Sequence, residues 1–242
     1  MAKQAFTSIN IVLDKSGSMA DLADETIKSV NKFIEEQKAV GDDAIFTMAL
    51  FSDKYELLYD GVSLKEVKPL DHNSYKTDGW TALLDAIAKT INSTSTKIRA
   101  MKEEDRPSKV IFMVITDGAE NSSREFNREQ VFKLLDLHQN EYKWQAIFLG
   151  CEKDSIVAGE KFGFTKGSSY TYSNSKIGAA NLYRNISDSV ASYRLDCEMD
   201  SLVLNASALM DDTKLQSSTF FDTDAQNTSV DISTTDKDKT TI

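Results

Sequence analysis

The sequence predicts an α/β fold with a doubly wound, mostly parallel sheet and one antiparallel edge strand, on three observations. Two continuous apolar runs, residues 9–13 and 110–115, have the character of strands buried on both faces, and each stops close to an aspartate. Between and after them, strand-like segments alternate with segments of helical period. A third pair, 44–51 and 55–59, is joined by only Ser52-Asp53-Lys54, a link short enough for a hairpin and too short for a parallel crossover.

Taken in order, residues 9–13 form the first strand, which Asp14 ends. Residues 19–39 then place Leu22, Ile27, Val30, Phe33 and Ile34 on one helical face, and Gly41 ends that helix. The hairpin 44–51 and 55–59 supplies an edge. A polar loop containing His72 and Tyr75 leads to residues 82–98, where Leu84, Ile87, Ile91 and Ile98 recur at helical spacing. After a linker with Pro107, the run 110–115 ends at Asp117-Gly118. Helix 128–138 has a marked start: Asn127 caps it, Gln130 reaches back, and Phe126 staples onto Val131. Strand 145–149, a short helix 155–162, an edge strand 169–172 and a final helix 177–194 follow. The last presents Ala179, Tyr183, Ile186, Val190 and Tyr193.

The length of 242 residues suits one substantial core with an appendage. Residues 1–195 are expected to form that domain. Residues 196–242 hold ten acids against three lysines, a net of −7 out of −10 for the chain, and form an acidic extension expected to be flexible from about 209. With no basic stripe, nucleic acid and anionic membranes are poor ligands. Residues 1–20 lack a signal-peptide pattern and no apolar run reaches membrane-spanning length, so the expected location is the cytoplasm. Cys151 and Cys197 are too few for a disulfide framework or a zinc site and are read as packing residues. His72 and His138 lack metal-ligand spacing and are read as surface or partly packed.

In such a sheet the ligand crevice lies at the carboxyl ends of the strands. Three distant pieces converge there: Asp14-Lys15-Ser16-Gly17-Ser18, Gly79-Trp80-Thr81 and Thr116-Asp117-Gly118. All offer oxygen and none offers sulfur or imidazole, which favours Mg2+, with Mn2+ or Ca2+ as alternatives, and disfavours zinc or copper. Two aspartates would balance the charge, and the helix starts near Ser18 and Thr81 would favour an incoming anion. Singly, Ser18 or Thr81 reads as no more than a helix cap, and Asp117 as the first residue of a turn. The joint pattern is what points to a cation. Trp80 and Tyr75 are candidates for contact with a partner, although loop aromatics more often pack on their own domain. Glu120 and Asn121 are candidates for the rim.

Together, Asp14-x-Ser16-x-Ser18, the isolated Thr81 opening Thr-Ala-Leu-Leu-Asp-Ala-Ile, and Thr116-Asp117-Gly118 resemble the von Willebrand factor A domain with its metal-ion-dependent adhesion site, over roughly residues 6–195. The resemblance implies a Rossmann-like fold in which Ser16, Ser18 and Thr81 are hydroxyl ligands and Asp14 and Asp117 are carboxylate ligands, direct or through water. The stretch from Glu120 through Phe126 is more similar to small stand-alone bacterial or bacteriophage members. Trp80 stands where the family often has a second glycine.

The resemblance implies a binding module that captures a partner protein's carboxylate through the metal, and no catalysis. Two alternatives stand beside it. One is a metal-dependent phosphoryl-transfer enzyme or hydrolase with Asp14 as nucleophile, against which Ser16 occupies the position of the second acid that haloacid dehalogenase-type enzymes need. The other, again from resemblance, is a regulatory stress-response component working with an ATPase. Neither the partner nor the oligomeric state is written in the sequence.

Overall fold

A computed structural model describes residues 6–41, 43–117, 119–151, 155–171, 176–196 and 202, with the side chains of 176–181 outside the description. Gly118, Tyr172, Cys197, the Ala179 side chain and nearly all of the acidic extension therefore lie outside it. The chain divides into two units, Met1–Asn205 and Ala206–Ile242, and the second contains none of the described residues.

The first unit is built on a six-stranded sheet in the order β3-β2-β1-β4-β5-β6. The strands are β1 (Thr7–Asp14), β2 (Ala44–Phe51), β3 (Tyr55–Ser63), β4 (Lys109–Thr116), β5 (Gln145–Gly150) and β6 (Ser169–Thr171). The helices are α1 (Ala23–Ala39), α2 (Leu83–Ala100), α3 (Arg128–Asn140), α4 (Ser155–Phe162) and α5 (Lys176–Leu195). All neighbouring strands are parallel except β2 and β3, which pair antiparallel at the edge. Every residue of β1 and β4 is buried, as the two apolar runs required.

Alternation along these strands divides the core in two. Val12, Phe112 and Val114 belong to a cluster with Leu84, Ile87 and Ile91 of α2 and Val131 and Leu135 of α3. Ile9, Ile11 and Leu13 are left for the opposite face, where α1 packs beside α5. That pair is fastened through Gln37, whose side-chain amide donates to the main-chain carbonyl and hydroxyl of Ser187 at 2.9 and 3.1 Å and whose main-chain carbonyl accepts from the Arg194 guanidinium at 2.7 Å. Tyr183, Ile186, Val190 and Tyr193 are buried as the helical pattern of α5 requires. The capping box at Asn127 and Gln130 is present.

Two boundaries differ most from the sequence pattern. β3 continues to Ser63 rather than ending at Tyr59, its pairing with β2 carried past Gly61, at φ 72°, by register shifts. The first helix begins as a 3-10 segment, Gly17–Leu22, and is α-helical only from Ala23, leaving Leu22 and Ile27 half-buried. Among the described residues no helix is long and apolar enough to cross a membrane.

From β1 the chain winds outward through β2 and β3, then returns to the other side of β1 and winds outward through β4, β5 and β6. Strand order reverses between β1 and β4. Their carboxyl ends, at Asp14 and Thr116, thus border the crevice where folds of this topology bind ligands.

Candidate functional site

Asp14 closes β1, and the pairing of Leu13 with Ile115 brings its side chain to the end of β4. It is fully buried. One carboxylate oxygen accepts from the Ser16 amide at 2.7 Å and the other from the Thr116 hydroxyl at 2.6 Å. Burial pushes the carboxyl up to about 6, against the pull of those two neighbours and with a further push from the Asp117 charge. Among the described residues no Lys, Arg or His forms an ion pair with it. The result is a buried acid without a cationic partner among the described residues, a costly arrangement when ionised.

The hydroxyls of the following loop line up beside it. Ser16 and Ser18 lie 3.1 Å apart, oxygen to oxygen, and Ser18 donates to Asp117 at 2.7 Å, joining the loop after β1 to the loop after β4. Ser16 is the N-cap residue of the 3-10 segment, yet its side chain makes no capping bond. Its hydroxyl is not committed to ending a helix.

The middle piece is laid onto the first by main-chain bonds, Gly17 amide to Gly79 carbonyl at 3.0 Å and Asp78 amide to Lys15 carbonyl at 2.8 Å. Gly79 has φ 82°, a conformation that favours glycine, and a Cβ there would fall 2.1 Å from an Asp53 carboxylate oxygen, so that side chain would have to move. Thr81 is buried and clamped to the third piece: its amide donates to the Asn121 side chain at 2.9 Å, and its carbonyl accepts from the Asn121 and Ser122 amides at 3.1 and 3.2 Å. Ala82, not Thr81, is the N-cap residue of α2, without a side-chain cap. Asp14, Ser16, Ser18 and Asp117 thus form one hydrogen-bonded cluster with Thr116, whereas the bonds of Thr81 run to Asn121 and Ser122 in the loop after β4 rather than to the cluster itself. Among the described residues no three His, Cys, Asp or Glu side chains gather into a metal-binding group, so a cation here would depend on the hydroxyls.

A family model described as von Willebrand factor type A domain matches residues 8–185. The chain belongs to that family. No curated protein matches it. Among solved structures, the von Willebrand domain of the type V pili tip protein Mfa5 from Porphyromonas gingivalis is similar at TM-score 0.56 and 10% identity, covering 82% of this chain and 99% of that one. Proximal thread matrix protein 1 from the mussel byssus is similar at TM-score 0.53 and 14% identity, covering 77% of this chain and 46% of that one. A von Willebrand factor type A protein from Catenulispora acidiphila gives 0.51 and 14%, covering 77% and 43%. The chain spans less than half the length of the last two. At these identities the likeness concerns the fold. The family is one of protein-interaction and adhesion modules, typically without enzymatic activity.

In this von Willebrand factor A domain, several residues around the cluster have roles that the sequence pattern did not disclose. Glu120 is not a free rim residue. Its carboxylate accepts from the Ser122 and Ser123 amides at 3.0 and 2.8 Å, from the Ser123 hydroxyl at 2.7 Å, and from the Leu84 amide of α2 at 2.9 Å. The positive end of α2 is therefore engaged by the protein's own acid, which removes part of the attraction for an external anion expected beside Thr81. Asp85, nearly buried in the first turn of α2, accepts from the amides of Arg124, Glu125 and Phe126 at 2.9, 3.0 and 2.8 Å. A lone acid in an apolar helical run was its only signal.

Tyr75 is buried against its own domain, the commoner fate of a loop aromatic, and is not available to a partner. Trp80 is 69% exposed and lies next to Thr81 at the site's edge. His138 is also buried rather than superficial, with Nε2 2.6 Å from the Ser95 hydroxyl and Nδ1 2.7 Å from the Leu134 carbonyl. Cys151, read as a packing residue, is half-buried and lines a cleft of about 360 Å3 that also borders Thr116 and Asp117.

Proposed function

We propose that this domain binds one divalent cation, Mg2+ or alternatively Mn2+ or Ca2+, through Asp14, Ser16, Ser18, Thr81 and Asp117, and uses it to capture an acidic side chain of a protein partner. The observation that carries this reading is Asp14: a fully buried carboxylate, unpaired with any described Lys, Arg or His, beside two serine hydroxyls and a second carboxylate. That donor set is hard oxygen throughout and fits an alkaline-earth ion. When bound, the ion supplies the positive charge that a partner's carboxylate needs. The chain's own residues orient the ligand oxygens, the Asn121 and Gly79 contacts fix the middle loop, and Glu120 and Asp85 hold the third.

Asp14 is poorly suited to act as a nucleophile. Both its oxygens are occupied by Ser16 and Thr116 and neither is exposed, whereas a nucleophile must reach its substrate. An adhesion-type module is therefore favoured over phosphoryl transfer.

Calorimetric titration of the folded, chelator-stripped protein with Mg2+, Mn2+ and Ca2+ tests the reading. One-site uptake by the wild type, lost in Asp14→Ala, is expected. Absence of uptake of all three ions by the folded wild type would overturn it.

A further inference from the structure

The cleft beside Asp117 lies at the carboxyl ends of β4 and β5 and shares Thr116 and Asp117 with the proposed cation site, so a chain segment delivered to one is delivered to the other. Its volume of about 360 Å3 sits at the low end for ligand pockets, roughly 300–1,000 Å3, and suits a short peptide segment. Its apolar wall includes Phe148 and Phe162, with ring centroids 5.9 Å apart, and Ala158. Its polar side includes Arg128 and Lys161. Both are exposed, and neither forms an ion pair with a carboxylate among the described residues. The Arg128 guanidinium lies 5.7 Å from the centre of the Phe162 ring, so cation and apolar wall face the same space.

Asp117 and Glu120 also line the cleft, but Asp117 is assigned to the cation and the Glu120 carboxylate is taken up by the Ser122, Ser123 and Leu84 amides and the Ser123 hydroxyl, so Arg128 and Lys161 are the charges left to face an incoming group. An acid that also carries apolar surface fits this combination, and a purely basic or purely polar segment does not. Resting on the adhesion reading above, we infer that the cleft sets partner specificity. It receives an apolar side chain adjacent to the partner's metal-directed carboxylate, while Arg128 and Lys161 pair with a second acid one or two residues away.

The probes are three capped tripeptides, acetyl-Asp-Leu-Glu-amide, acetyl-Asp-Ala-Glu-amide and acetyl-Asp-Leu-Gln-amide, titrated in Mg2+ into the isotope-labelled full chain and followed by NMR. The first is expected to shift the amides of Phe148, Ala158 and Phe162 together with those of Ser16 and Ser18, and to bind roughly tenfold more tightly than either control. The Arg128→Ala, Lys161→Ala double variant is expected to keep Mg2+ uptake while losing the preference for Glu over Gln. Magnesium uptake with equal binding of the three peptides, or with shifts confined to the loops around Ser16 and Ser18, overturns the cleft assignment alone. Failure of the wild type to take up Mg2+ in calorimetry without peptide overturns the cation reading, and this inference with it.

Discussion

The Tyr75 phenol donates a 2.6 Å hydrogen bond to the main-chain carbonyl of Asp14, reaching from the loop after β3 to the last residue of β1. Both residues are buried. Burial and the nearby Asp14 carboxylate push the phenol far above the ordinary tyrosine range, so it stays a donor at every working pH. This hydroxyl, together with the Asp78 and Gly79 main-chain bonds to Lys15 and Gly17, holds from outside the sheet the end of β1 where the loop of Ser16 and Ser18 departs.

Tyr75→Phe leaves the ring packed and the carbonyl without its partner. A loss of about 1–3 kcal/mol is expected, the cost of an unsatisfied buried acceptor. Urea denaturation checks it: the midpoint should fall with the slope unchanged, and an unaltered midpoint would mean the carbonyl finds another donor.

Asp14→Asn should stabilise the protein in chelator at pH 7 while abolishing cation uptake. The folded-state carboxyl titrates at about 6 against 3.8 when unperturbed, so the stability associated with its proton is present at low pH and lost as pH rises through 6. At pH 7 the bare carboxylate is therefore a net cost of about 1–3 kcal/mol, which the isosteric amide relieves while still accepting from Ser16 and facing Thr116. A variant no more stable than wild type in urea would show that the charge is already compensated.

Asp85→Ala removes the acceptor of three loop amides. A destabilisation of about 2–4 kcal/mol is expected, together with faster amide hydrogen exchange at Arg124, Glu125 and Phe126. Unchanged exchange there would show that the loop holds its shape without α2.

Burial lowers the His138 imidazole below its ordinary value of 6.5, with the Arg99 charge acting in the same direction and the Leu134 carbonyl opposing. The ring is neutral in the fold, Nδ1 donating to Leu134 and Nε2 accepting from Ser95. Because the unfolded chain protonates first, the stability it contributes is complete above about 6.5 and declines as pH falls below that value. Asp14 acts with the opposite sign as pH falls through about 6, so His138 is read from the difference between wild type and His138→Gln over pH 7.5 to 6. Over that window the thermal midpoint should fall in wild type and stay flatter in His138→Gln; parallel curves would count against the assignment.

Trp80→Ala should leave stability within about 0.5 kcal/mol, as for other exposed side chains with little packing. Loss of more than about 1 kcal/mol in urea would show that the indole supports the Gly79-Thr81 loop rather than standing free beside the site.

Much of this protein was legible from local pattern. The apolar runs of β1 and β4, the helical faces of α2 and α5, the Asn127 capping box and the oxygen-bearing residues Asp14, Ser16, Ser18, Thr81 and Asp117 are all encoded within a few neighbours, where strand pleat, helical period and turn chemistry act. Local pattern fell short where pairing extends an element: the strand expected to end at Tyr59 runs on to Ser63 because β2 supplies a partner strand.

What only the tertiary structure decided is how distant residues meet. Strand order, with its reversal between β1 and β4, sets Thr116 against Asp14; packing buries Tyr75 and directs its hydroxyl to Asp14; and Glu120 and Asp85 become braces only because the loop after β4 lies over the start of α2. The physical reason is common to all four. A hydrogen bond between residues tens of positions apart forms when the crossovers bring its ends together and exclude water, and no periodicity in the chain records that meeting.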